Sequence, residues 1–330
     1  MGAVSGYSPV VRILLWHVHG SWTTAFVHGR HDYVLPVTPD RGPDGRGRAR
    51  TYDWPDNVVE RTPDQLADEP VDLALLQRPH EIELTTRWLG RRPGVDMPAV
   101  YLEHNTPPDW RTRHPLADQG AIPIVHVTHF NQLFWDTGSA RTTVIEHGIV
   151  DPGYRYTGEL ARAAVVINDP VRRGRAVGTD LLPALSAAVP VDLYGMNVAP
   201  LDTADGRLRA YQDLPQEKLH AELPRRRVYV HTARWTSLGL SLLEAMHLGM
   251  PVVVVASTEA TRAVPPEAGV VTASVSELVG AARRLAADPA RAAHMGQAAR
   301  EAALRRYHLR RFLDDWDAVL TDVASGVPPG

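Results

Sequence analysis

Glu244 stands inside TSLGLSLLEAMHLGMPVVVV (residues 236–255), flanked by Leu242, Leu243, Ala245 and Met246. A carboxylate in so apolar a run is costly to bury unless something donates hydrogen bonds to it. Leu240, Leu243, Met246 and Met250 fall at helical spacing, which predicts a helix over 239–248 with one apolar face. Thr236 and Ser237 are natural N-caps for that helix, and Gly249-Met250-Pro251 supplies a stop. A second chemical group follows Asn168-Asp169-Pro170, where Arg172, Arg173 and Arg175 crowd one strand-to-helix junction. Guanidinium forks pair bidentately with phosphate oxygens, so the cluster suits a phosphate ligand rather than a merely solvated basic loop, with Arg173 favoured and Arg172 and Arg175 as competitors. Gly195 after VDLY and His231 in VYVH close two further apolar runs. In the first half, His17-Val18-His19-Gly20-Ser21-Trp22 follows a strand, and its small Gly-Ser turn lets a ligand approach backbone N–H groups. His104, in YLEHNTP, ends another strand.

Several chemistries are disfavoured. The chain has no cysteine, hence no thiol nucleophile, disulfide or cysteine-bound zinc. Ten of the 15 histidines precede residue 150, but the pairs His17/His19 and His126/His129 lack a closed zinc spacing, and no HExxH occurs. No metal site is expected. Neither a GxSxG elbow nor a GxGxxG fingerprint is present, which argues against a serine hydrolase and a dinucleotide oxidoreductase. A net charge of −3 gives no global reason to expect nucleic acid. No window approaches the roughly 20 apolar residues of a membrane span, and MGAVSGYSPVVRILLW lacks the basic start and cleavage site of a leader. A cytoplasmic protein is the expectation.

The elements that must position these residues alternate. Strands are predicted at 12–17, 71–76, 99–102, 122–128 and 143–146, with helical stretches such as 22–28 and 81–89 between them. Residues 38–57, rich in Gly, Pro, Arg and Asp, read as a long loop with the composition of a mobile one. After a pause at 148–159 the pattern restarts, with strands at 163–168, 191–194, 227–231, 251–256 and 269–272. Helices fit at 179–188, 216–223, 239–248 and 275–287, then in an Ala/Arg-rich tail from 289 to about 323 that breaks near Tyr307. Two doubly wound α/β domains joined near residue 155 follow, with ligands expected at the carboxyl ends of their strands and in the cleft between them. Leu304, Tyr307, Leu309, Phe312 and Trp316 make the tail amphipathic, while Asp314, Asp315 and Asp317 oppose docking on anionic lipid.

The stretch SLGLSLLEAMHLGMPVVV resembles the signature of retaining glycosyltransferases of GT-B fold, in particular the large family 4. There two glutamates separated by seven residues flank a Gly-Leu turn, ahead of Ala-Met-x-x-Gly-x-Pro-Val-Val. The resemblance implies an acceptor-side Rossmann-like domain over 1–154, a nucleotide-sugar-binding one over 155–305, and a segment 306–330 whose helix packs back on the first domain. It implies that Glu244 accepts hydrogen bonds from the nucleotide ribose and that N–H groups near Gly239 and Leu240 face the diphosphate. His104 is implied to approach the donor sugar as the catalytic histidine, and the loop Gly20, Ser21, Trp22 to contact acceptor or phosphates.

The match has departures. Thr236 stands where the family carries its first glutamate, and it offers one hydroxyl without charge. Arg234 and Trp235 beside it would reshape the sugar pocket. Glu259, in Ser257-Thr258-Glu259-Ala260, is a candidate replacement carboxylate, set against an ordinary exposed loop glutamate. The family's Arg-x-x-x-x-Lys-Gly arrangement places Asn168 at its arginine and Arg173 at its lysine. The implied activity is transfer from a nucleotide-diphosphate sugar to a small-molecule or glycan acceptor, with retention and without a metal or other cofactor. Rival readings are a catalytically inactive nucleotide-binding relative, and a GT-B sugar-nucleotide epimerase that would convert the donor alone.

Overall fold

A computed structural model describes residues 10–326. The stretch before residue 10, read above for a leader, and the last four residues of the tail lie outside the described residues. The chain forms two compact units. One runs to Gly148 and takes the chain in again from Leu309; the other is Ile149–His308.

The N-terminal unit is built on seven strands: β1 Arg12–Leu15, β2 Asp32–Pro36, β3 Val58–Arg61, β4 Leu73–Leu76, β5 Ala99–Glu103, β6 Ile124–His126 and β7 Thr142–Val144. Their order is β3-β2-β1-β4-β5-β6-β7, and every pairing is parallel. The C-terminal unit has β8 Leu160–Val166, β9 Val191–Gly195, β10 Leu208–Gln212, β11 Arg226–His231, β12 Val252–Val255 and β13 Gly269–Thr272. It repeats the plan as β10-β9-β8-β11-β12-β13, again all parallel. Central strands such as β4 (LALL) and β5 (AVYLE) are buried at every position, as helices on both faces require. In each sheet the strand order reverses beside the first strand, between β1 and β4 and between β8 and β11. That reversal is where a doubly wound sheet opens a crevice for ligands.

Three strands are absent from the sequence reading. β3 and β10 are outer strands with polar, partly exposed sequences (VVER, LRAYQ), so no apolar run announces them. β2 is buried, but it is short and closes on Pro36. The 38–57 segment is a loop, as read, yet a heavily tied one. Arg41 pairs with Glu60, Arg48 donates to the carbonyls of Trp54 (2.6 Å) and Pro55 (3.0 Å), and the buried Trp54 indole donates to Thr24 Oγ1 at 2.8 Å.

The tail forms two helices, Pro289–Arg306 and Leu309–Ala324, broken at Tyr307. The second belongs to the N-terminal unit. Its Phe312, Trp316 and Leu320 are buried, with Trp316 against Trp22 and Phe26 at ring separations of 5.6 and 5.1 Å. Among the described residues no helix is long and apolar enough to cross a membrane.

Candidate functional site

In the C-terminal unit, β8 runs out through Ile167 and Asn168 to Asp169, which takes a left-handed conformation (φ +54°) ahead of the short helix Pro170–Arg173. Asn168 Oδ1 accepts from the N–H of Met196 at 3.0 Å, tying the ends of β8 and β9 together. Gly195 sits within that tie at φ +141°, and a Cβ there would lie 2.0 Å from the Ile167 carbonyl oxygen. Only glycine fits.

The arginines divide into committed and uncommitted. Arg172 is exposed and paired with Asp169 at 2.8 Å. Arg175 and Arg234 share Asp180, at 2.8 Å from Arg175 and 2.6 and 3.0 Å from the fork of Arg234, which also donates to the Arg175 carbonyl at 2.9 Å. Arg173 is half-buried, and its guanidinium has no ion pair or hydrogen bond among the described residues. Burial and then the neighbouring Arg172 push its pKa below the ordinary guanidinium value, with Asp169 opposing. A half-desolvated cation without a partner is a ready anion site.

Glu244 lies on the helix Leu240–His247 and is 5% exposed. Its carboxylate is met from the helix Gln216–Glu222: Gln216 Nε2 is 3.3 Å from Oε1 and His220 Nε2 is 3.3 Å from Oε2. The start of the Glu244 helix differs from the expectation. Thr236 and Ser237 do not cap it; the N-cap is Gly239, in extended conformation, and no side chain accepts from the first turn. The turn through Leu238 and Gly239 places the helix start three residues later than a Thr236 cap requires. Gly239 packs on the His231 ring, where a Cβ would approach to 2.3 Å. Leu240 opens the helix, so the dipole end there is free of a competing cap.

Glu259 is not an exposed loop residue. It is 1% exposed, with Arg262 at 3.4 Å and Arg306 at 3.6 Å. Both arginines approach the same oxygen, Oε1, and the Glu259 N–H reaches the Ser237 carbonyl at 3.3 Å.

In the N-terminal unit, Gly20 and Ser21 open the helix Gly20–Phe26, beneath Tyr52 of the long loop. A Cβ on Gly20 would meet the Tyr52 ring at 2.7 Å, and the Ser21 and Tyr52 hydroxyls are 3.3 Å apart. Trp22 departs from its expected place in a ligand loop. At 1% exposure it is a core residue, stacked on Phe26 and edge-on to Trp316 and His104, because a helix starting at Gly20 turns this position inward. His104 is buried at the end of β5, with ring centroids of His19 and His147 at 3.9 and 6.2 Å. Its Nε2 and both ring nitrogens of His147 have no partner among the described residues. Burial first, then the neighbouring imidazoles, pushes His104 well below the usual histidine range, so the ring is neutral and can both donate and accept.

Arg173, Gly195, Gly239 and Leu240 thus stand at or after the carboxyl ends of β8, β9 and β11 in one sheet, with Glu244 one turn into the helix that Leu240 opens, while Arg175 is linked to Arg234 and Arg172 faces solvent. His147, Tyr52, Gln216 and His220 escaped the sequence reading. His147 alone left a signal, since it follows a predicted strand just as His104 does. No group of three or more His, Cys, Asp or Glu side chains among the described residues is arranged to hold a metal ion.

Residues 205–302, which include Glu244, match the family described as glycosyl transferases group 1. The whole chain is similar in fold to solved structures of low sequence identity. Sucrose-phosphate synthase from Thermosynechococcus elongatus is 13% identical with a TM-score of 0.72, covering 96% of this chain and 100% of that one. Alr3699/HepE of Anabaena, solved in complex with UDP and glucose, is 14% identical with a TM-score of 0.66, covering 94% and 100%. AviGT4, a glycosyltransferase involved in avilamycin A biosynthesis, is 13% identical with a TM-score of 0.62, covering 96% and 99%. No curated protein matches the chain. The fold is the GT-B one, with two Rossmann-like parallel-sheet units.

Proposed function

We propose that the protein is a glycosyltransferase that moves a sugar from a nucleotide-diphosphate sugar to a small-molecule or glycan acceptor, with retention at the anomeric carbon. The observation that carries this reading is that a half-buried Arg173 with no ion pair among the described residues and a buried Glu244 stand on the segments that follow β8 and β11, neighbouring strands of one parallel sheet. Arg173 and the uncapped helix start at Gly239 and Leu240 would receive the diphosphate, and Glu244 the ribose hydroxyls. The family match over 205–302 supports a glycosyltransferase. UDP is the nucleotide to try first, because HepE is described with UDP and glucose.

Chemically, the charge that develops on the departing diphosphate meets a guanidinium and a helix dipole held in place before reaction, so this reading routes no step through a metal. Same-face attack assisted by the leaving phosphate assigns no protein nucleophile. Thr236 offers the donor sugar a hydroxyl in place of a carboxylate. We assign acceptor binding to the N-terminal unit around His104, whose neutral imidazole would act by hydrogen bonding rather than by charge.

The test is turnover. UDP-glucose and UDP-N-acetylglucosamine are incubated with a panel of hydroxylated acceptors, and UDP release and product are followed together. The expected result is acceptor-dependent UDP release, abolished in Arg173→Ala, with the donor's anomeric configuration kept in the product by NMR. Conversion of the donor without any acceptor would instead establish an epimerase, and an inverted product would remove the retaining mechanism.

A further inference from the structure

Gln216 and His220 lie one helical turn apart on the helix Gln216–Glu222, so both face the same way. They meet the two oxygens of one carboxylate, Gln216 on Oε1 and His220 on Oε2, each at 3.3 Å. A carboxylate only accepts, so His220 presents its Nε2–H. His220 is 7% exposed and Glu244 5%, while Gln216 is half-buried. Two polar groups nearby, Tyr229 and His247, are engaged elsewhere. Tyr229 donates to Ser241 Oγ at 2.9 Å, and His247 Nδ1 meets the Leu243 carbonyl at 2.8 Å.

One donor on each oxygen fixes the plane of the carboxylate and leaves a lone pair on each oxygen. Two parallel acceptor sites of that kind match a vicinal diol, which brings two hydroxyl donors side by side. We propose that Gln216 and His220 are positioning residues that orient Glu244 to receive the 2′- and 3′-hydroxyls of a nucleotide, and so set its preference for ribose over deoxyribose. This rests on the donor-site reading above. Neither residue touches the ligand; both act through Glu244. The helix Gln216–Glu222 is thereby part of the nucleotide site, although its sequence carries no part of the glutamate motif.

Removing either residue also strips a buried carboxylate of a partner and lowers stability whatever its role. The readout must therefore be selectivity. UDP and 2′-deoxy-UDP are titrated calorimetrically into wild type, Gln216→Ala, His220→Ala, His220→Gln and Glu244→Ala. In wild type UDP binds more tightly than its deoxy analogue. His220→Ala is expected to weaken UDP by about tenfold, as loss of alignment of a charge-assisted hydrogen bond implies, and 2′-deoxy-UDP much less. Gln216→Ala narrows the ratio in the same direction. His220→Gln, whose amide can reach the Nε2 position, restores it. The proposal is overturned if the alanine variants lower the melting temperature but keep the wild-type ratio while Glu244→Ala abolishes it. A ratio that survives in Glu244→Ala overturns the ribose role of Glu244 and this inference with it. Absence of UDP binding in wild type strikes the UDP donor reading itself.

Discussion

Glu244 shows what a single residue can announce and what it cannot. A charged group between four apolar neighbours is legible as something that needs partners, and the burial of its side chain bears this out. The partners were not legible: Gln216 and His220 lie 28 and 24 positions earlier, and only the packing of two helices brings them to the carboxylate. The three arginines were legible as a cluster and the family arrangement singled out Arg173, but the engagement of Arg172 and Arg175 was not legible, because it depends on where Asp169 and Asp180 fall in space. Gly195 carries a stability prediction. Its φ of +141°, and the Ile167 carbonyl oxygen only 2.0 Å from where a Cβ would stand, leave no room for alanine. Gly195→Ala should lower unfolding free energy by about 2 kcal/mol or more, read from the denaturant midpoint. An unchanged midpoint would mean that the junction between β8 and β9 yields easily.

At the scale of elements, the sequence revealed the long helices and the inner strands other than β2, because their apolar periodicity is strong. β3 and β10 stayed hidden because an outer strand has one open edge and tolerates polar residues such as Glu60, Arg61, Arg209 and Gln212. The helix Leu309–Ala324 was legible as amphipathic, and the structure gives its apolar face an occupant. Phe312 and Trp316 are buried against Trp22, and Asp317 holds Arg30 at 2.8 Å and His31 at 2.9 Å. That packing removes the membrane-surface reading of this face. Trp316→Ala should cost about 3–5 kcal/mol, the range for deleting a large aromatic from a core. Tryptophan fluorescence and a denaturant titration check it, and a loss under about 1 kcal/mol would show that the helix docks loosely.

Across the whole molecule, the buried histidines set a pH dependence. Burial brings His126 and His147 down to about 3 and His231 to about 4, and holds His104 well below the usual range. These rings stay neutral in the folded chain but take up protons near pH 6.5 once unfolded. The unfolded state then binds more protons, so stability is full above about pH 6.5 and falls as the pH drops toward the folded values. From about pH 7.5 to 5.5 each such ring should withdraw about 1.4 kcal/mol, before carboxylate protonation contributes. Three of these four lie in the N-terminal unit, so hydrogen exchange should show that unit loosening first. A flat stability profile over this range would contradict the burial of these rings. The central claim, a nucleotide-diphosphate site organised by Glu244, is tested most directly by thermal shift with UDP, GDP, ADP and dTDP on wild type and Glu244→Ala. One diphosphate, UDP foremost, should stabilise the wild type by about 2.7 kcal/mol at a hundredfold excess over its Kd, and the variant far less. Equal shifts in both proteins, or none in either, would contradict it.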